Sequence, residues 1–358
     1  MQNDQDIREH RYCTSEELVE KLKDKGLIII NKKELIDYFD TFNYQNIINK
    51  YNSCFLVSAH YWRYLDNANS QMLLDFFNFN ISLSMLIASA LRKIESTLST
   101  CVAKVLMEKI DLLHSGRTIF ACLSKQEKYS FFKYDLEHND NKKINQLFSE
   151  LQTNFSELRK GEQSLNKNWL EWEEVPLYSL VLVYPFGVNV DLFCNLKLEI
   201  QKQILKRAFP QIKNISIITF EALFYYFCYL RNKICHSKPI YDFKFDFRKL
   251  IHKLKKFNSF SNSKILNTTQ NDFLKLFDTN NLSEINFKLL WMLQLLAKMV
   301  DDSFLEEKIL QLIKWLEQSV KNGINHEGSV NEKYLPCKKA WENICLVLGY
   351  KNNKFNKE

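Results

Sequence analysis

The chain has 358 residues, 46% of them hydrophobic and 14% aromatic, enough to fill a large core shared by two or three helical modules. Seven glycines and five prolines are too few for the many tight turns of a strand-rich fold. A modest charge of +7, a polar start and nine scattered cysteines without a Cys-x-x-Cys pair argue against a signal peptide, a secreted disulfide framework and a zinc site.

In chain order, Thr14 followed by Ser15, Glu16 and Glu17 reads as a capped helix start, with Leu18, Val19 and Leu22 facing inward and a stop near Gly26. Asn31 opens a second helix carrying Leu35, Ile36, Phe39 and Phe42, and a third can begin at Asn43. Residues 72–109 give the longest helical signal. Phe76, Phe79, Leu83, Leu86, Ile87, Ala90, Leu91, Ile94, Leu98, Cys101, Val102 and Val105 recur at steps of mostly three and four, which predicts the spine of a bundle. The region 111–168 is more polar, and 137–145 reads as a loop. An apolar run at 177–184 is broken by Pro185, Phe186 and Gly187. A helix resumes over 192–209, ended by Pro210, and Thr219 caps another that ends around His236. Strict alternation at 242–247 allows a short strand; helices follow, including 286–300 and 302–320, and the asparagine-rich 351–358 reads as disordered. The uninterrupted apolar stretches, such as 289–297, are too short to span a bilayer.

Basic residues gather in two segments. Lys197, Lys202, Lys206, Arg207 and Lys213 stand against Glu199 alone. Lys244, Arg248, Lys249, Lys253, Lys255, Lys256 and Lys264 stand against Asp242 and Asp246. A nucleic-acid backbone would release counterions on such a flank, while a solvated helix face is the alternative. Between the two segments lies the helix 219–236, whose apolar stripe is Phe220, Leu223, Phe224, Phe227, Leu230 and Ile234. At about 100° per residue Arg231 falls inside that stripe, a costly place for an unpaired guanidinium. Asn232 and His236, four apart, share the adjoining face. Such a trio suits phosphodiester chemistry. Imidazole can move a proton near neutral pH, and a guanidinium can stabilise a phosphorane without a metal. Metal and cofactor are both expected to be absent.

The segment Leu230-Arg231-Asn232-Lys233-Ile234-Cys235-His236 resembles the Arg-(Asn)-x-x-x-His signature of HEPN domains, helical ribonucleases of toxins and antiviral systems. The wider chain, from about residue 18 to 242, resembles the abortive-infection family of phage-defence proteins typified by AbiD and AbiF. The patches that carry it are Leu22 to Ile29, Leu35 to Phe39, Phe42-Asn43-Tyr44, Leu91 to Leu98 with Ile94 and Glu95, Pro176 to Val181, Pro185-Phe186-Gly187, and Phe220 to His236. The family commonly shows two adjacent histidines followed by Ser-Arg-Leu-Trp; here His236 is followed by Ser237, Lys238, Pro239, Ile240 and Tyr241, so one histidine remains.

The resemblance implies an all-α, HEPN-like helical bundle over 69–247 with a small N-terminal helical module over 1–68; residues 248–358, which it does not reach, read as a basic helical extension. It implies a homodimer that brings two signature helices to one cleft, and association with a small structured RNA encoded nearby. His236 becomes the acid/base, Arg231 the phosphate anchor and Asn232 the orienter, with Glu95 either supporting them or forming a purely structural helix–helix pair. Lys197, Lys202, Lys206, Arg207, Lys238, Arg248, Lys249, Lys253, Lys255 and Lys256 become the RNA grip. Phe243, Phe245, Phe247 and Phe257 either stack on bases or fill core. The expected function is RNA-directed defence in the cytoplasm, with no membrane partner. A non-catalytic RNA-binding scaffold and a helical sensor of a phage component stay open. Cys235 as a thiol nucleophile lacks the third member of a triad. His60 and Trp169, Trp172, Trp291, Trp315 and Trp341 read as structural.

Overall fold

The computed structural model describes residues 13–57, 62–114, 125–133, 141–161, 176–213, 215–236, 238–241, 272, 289–301, 303–322 and 338–348. Among these the chain is all-α; the only extended pairing described is three isolated bridges. The possible strand at 242–247, the tail at 351–358 and residues 286–288 lie outside the described residues.

Helix α1 (Ser15–Asp24) starts where the sequence predicts it. Thr14 Oγ1 accepts from the Glu17 N–H while the Glu17 carboxylate accepts from the Thr14 N–H, a reciprocal cap that satisfies two otherwise orphaned donors. Val19 and Leu22 are buried, and Gly26 at φ +94 turns the chain as few other residues could. Helix α2 (Lys32–Phe42) is capped by Asn31 and buries Leu35 and Phe39. The third element is not an α-helix: Gln45–Asn49 is a π-turn and Asn52–Cys54 a 3₁₀ turn. Together they seat Ile47, Ile48 and Tyr51 in the core.

Helix α3 (Ser70–His114) is the spine, with no proline to break it. Eleven of its twelve predicted inward residues are buried and Leu86 is partly so. Ser70–Leu112 is long enough to cross a membrane and holds an 18-residue window apolar enough to do so, although no uninterrupted apolar run in the sequence is long enough. Within its most apolar window 56% is buried in this protein, as a core helix requires. Helices α4 (Lys125–Phe131) and α5 (Asn141–Gly161) follow. The predicted loop at 137–145 is therefore corrected from Asn141 onward: α5 buries Leu147, Leu151 and Phe155 on one side, and its polar residues are its solvent face.

Helix α6 (Leu177–Val183) ends at Tyr184, and Pro185 caps α7 (Phe186–Asn195). The single helix expected over 192–209 is two, because Leu196 and Lys197 are extended between α7 and α8 (Leu198–Ala208). There Lys197 N–H donates to Phe131 O at 2.8 Å and Lys133 N–H to Asn195 O at 2.9 Å, so a tertiary pairing replaces the helical bonds. Helix α9 (Ile217–Cys235) runs next, and α10 (Leu289–Val300), α11 (Ser303–Asn322) and α12 (Lys338–Leu348) complete the set. Helices α6, α8, α10 and α11 all pack on the spine. Leu316, Val320, Ala340 and Ile344 are sealed into the same apolar core as Leu22 and Leu35.

Candidate functional site

Helix α9 is built as a buried rod with a wet tip. The cap is Ser216, not Thr219: Ser216 Oγ accepts from the Thr219 N–H at 3.2 Å. Asp272, 5% exposed, completes this end by accepting from Ser216 N–H at 2.8 Å and from Thr219 Oγ1 at 2.7 Å. A carboxylate suits a helix N-terminus, where the peptide dipoles converge as partial positive charge. Phe220 and Phe224 then pack against Phe209 with ring centroids 6.2 and 5.9 Å apart, and Phe193 meets Phe224 edge-on at 5.3 Å.

Every residue from Thr219 to Phe227 is buried, so this part of α9 has no solvent face. Its charged residue, Glu221, is fully buried. It accepts from Lys133 Nζ at 2.7 Å and from Gln201 Nε2 at 2.8 Å. Beside it Tyr225 OH donates to Asp191 at 2.5 Å. Burial, and next the Glu221 carboxylate, holds the Cys194 thiol well above its ordinary range. Burial also drives the Tyr225 phenol far upward, with Cys194 and Asp191 adding to it.

Beyond Phe227 the helix leaves the core. Tyr229 is half exposed, Leu230 is the last fully buried residue, Arg231 is half-buried, and Asn232, Cys235 and His236 are exposed. The expected apolar stripe is fully buried only as far as Leu230: Ile234 is partly covered, and Arg231 lies at the wet end. Residues 231 and 236 are separated by about 7.5 Å of helix rise and roughly 140° of turn, so bare helix geometry points them apart. The guanidinium closes part of that angle, because Arg231 Nη1 donates to Asn232 Oδ1 at 3.4 Å, on the face Asn232 shares with His236. His236 is the C-cap residue, its N–H donating to Asn232 O at 3.1 Å.

The other predicted residues fall in several places. Glu95 is half-buried on α3, and its neighbours Ile94 and Thr97 line a cavity of about 170 Å³ with Phe209. Phe209 stacks on Phe220, and Arg231 lies about 16 Å further along α9 by helix rise. Lys197 is half-buried at the start of α8, while Lys202, Lys206 and Lys238 are exposed. Arg207 is engaged in a two-pronged pair with Glu108, at 2.7 and 3.2 Å, which holds the Glu108 carboxyl below its usual range. Arg248, Lys249, Lys253, Lys255 and Lys256 lie outside the described residues, as do Phe243, Phe245, Phe247 and Phe257. Among the described residues no group of three or more His, Cys, Asp or Glu side chains is placed to hold a metal ion.

Sequence reading missed Asn80, Tyr241 and Asp272. Asn80 did carry a signal, since it occupies the buried row of Phe76, Leu83 and Ile87 on the spine, where a polar residue must find a partner. For Asp272 no local signal exists.

The family description "Abi-like protein" matches residues 36–242, more than half of the chain and all of the segment that ends in the wet tip of α9. The chain belongs to the Abi-like family. It is therefore an abortive-infection protein of phage defence. No curated protein and no solved structure matches it. In this Abi-like chain the matched region stops just after Tyr241, so Asp272, α10, α11 and α12 lie outside the matched residues.

Proposed function

We propose that this Abi-like protein acts on RNA in the cytoplasm, as a HEPN-type endoribonuclease that needs no metal and holds a small structured RNA. The observation that carries the reading is the exposed end of α9. Arg231, Asn232 and His236 meet solvent within one and a half turns there, and the guanidinium leans onto the face shared by the other two.

In this reading the RNA phosphate sits against Arg231, whose guanidinium offsets the negative charge that grows on the phosphorane. The His236 imidazole takes the proton of the 2′-hydroxyl as that oxygen attacks phosphorus. The protonated imidazole of the site then gives a proton to the departing 5′-oxygen, leaving a 2′,3′-cyclic phosphate and a 5′-hydroxyl. Asn232 orients the phosphate or the attacking hydroxyl. With one histidine in each signature, a second copy facing the first across paired α9 tips supplies the second proton-transfer group, which makes a homodimer the working unit. Lys202, Lys206 and Lys238, all exposed, extend the grip on the RNA backbone.

The test is purification of the intact protein, measurement of its ultraviolet absorbance for bound nucleic acid, sequencing of any RNA recovered, and incubation of RNA with the protein in chelator. Cleavage lost in His236→Ala supports the proposal. Tight, steeply salt-dependent RNA binding with no cleavage, unchanged in His236→Ala, would replace the enzyme by an RNA-binding scaffold. Protein free of nucleic acid and without RNA affinity at low salt would point instead to a helical sensor of a phage component.

A further inference from the structure

The His236 imidazole is exposed, and among the described residues no side-chain hydrogen bond orients it. A proton-transfer group must nevertheless be held to within a fraction of an ångström of its working position. What the described residues offer to orient it acts through the backbone, which is tied on both sides of residue 236.

On the helical side, His236 N–H donates to Asn232 O at 3.1 Å and Lys238 N–H reaches back to Lys233 O at 3.0 Å, closing the helix end as a hydrogen-bonded turn. On the other side the chain is caught by a residue 160 positions away. Asn80, on the spine and 4% exposed, accepts through Oδ1 from Ile240 N–H at 3.0 Å and from Tyr241 N–H at 3.3 Å. Ile240 and Tyr241 are themselves buried. The Tyr241 ring lies 4.7 Å from Phe76 and 5.3 Å from Tyr51, and its hydroxyl donates to Lys50 O. Only residues 237–239 separate His236 from this anchor, and Pro239 removes one φ from what freedom they have.

We infer that Asn80 is a positioning residue for His236: by fixing the backbone of Ile240 and Tyr241 to the spine, it holds the turn that presents the imidazole. Tyr241 shares the task from the other side of the same anchor. The inference rests on the ribonuclease reading for its effect on catalysis, and on geometry alone for its effect on His236.

The experiment uses the full-length protein with Asn80→Leu, which removes the acceptor, and Asn80→Asp, which keeps an oxygen in the same place. It reads RNA cleavage as kcat and KM, the imidazole carbon–proton correlation of His236 by NMR, and amide exchange at Ile240 and Tyr241. Asn80→Leu is expected to lower kcat about tenfold or more with KM held, to shift and broaden the His236 signal, and to speed exchange at the two amides. Asn80→Asp is expected to restore all three. Should Asn80→Leu fail to fold, Tyr241→Phe removes only the hydroxyl tie and must move the same readouts in the same direction. A folded Asn80→Leu with a wild-type His236 signal and wild-type exchange at residues 240 and 241 overturns the inference, as does equal loss in Asn80→Asp. Wild-type protein that cleaves no RNA sinks the ribonuclease reading instead, and the NMR and exchange readouts still decide whether Asn80 positions His236.

Discussion

Over its first half α9 is surrounded: nine consecutive residues from Thr219 to Phe227 are buried, and the charge among them, Glu221, is matched by Lys133 and Gln201. Over its second half the same helix carries Arg231, Asn232 and His236 into solvent, and among the described residues Arg231 has only a long bond to the residue beside it. The first half holds a charge that would be ruinous if unpaired, and the second holds charges that cost nothing to expose. Stability should therefore depend on one end of this helix and chemistry on the other.

The sharpest way to break that division is His236→Ala. RNA cleavage is expected to fall by about 10²–10⁴-fold, while the unfolding free energy stays within roughly 0.5 kcal/mol of wild type, since the side chain is exposed. Parallel loss of both in a denaturant titration would show that the two halves are not separable. Next comes Glu221→Ala, which strands Lys133 and Gln201 beside an apolar core. It should cost on the order of 3 kcal/mol, read as a lower denaturant midpoint, with residual folded protein still cleaving RNA. Ser216→Ala removes the cap of α9 and should cost about 1 kcal/mol, again without touching cleavage.

Alkali gives a separate test of the buried half. The phenols of Tyr225 and Tyr226 are raised above their ordinary 10.0, chiefly by burial. An acid whose folded pKa is raised contributes stability that is whole below its unfolded pKa and drains away as pH climbs past it. Stability should fall above about pH 10, and the share of tyrosinate absorbance due to these two should appear only with unfolding. Ionisation of every tyrosine before unfolding would contradict the burial of these two. The smallest effect is expected on the surface: Arg207→Ala frees Glu108 and should leave the unfolding midpoint where it was, because both partners are exposed.

The contrast also explains what a linear reading could reach. Thr14, Asn31 and the spine were legible because their signals are local: a cap beside an acid, or an apolar row at helical spacing. The break at Leu196 and Lys197 was not, since no proline or glycine marks it and its cause is pairing with Phe131 and Lys133. Helix α5 was hidden by its own polar face. The tip of α9 is legible as residue types, but the point at which the helix leaves the core is not, because periodicity gives only the direction of a side chain. Nor does it single out Glu221 as the charge that α9 buries. Asn80 and Asp272 act on residues 160 and 56 positions away, and no window along the chain joins them.

Helix α11 has a bearing on how the region shared with the family can be handled. It lies outside the matched residues, yet Ser319 donates to the buried Asp75 of the spine, with Leu316 and Val320 sealed around it. Trimming the protein back to the shared region would leave that carboxylate and its apolar surroundings facing water. The trimmed piece should be prone to clump, so in this chain the matched region leans on residues that lie beyond it.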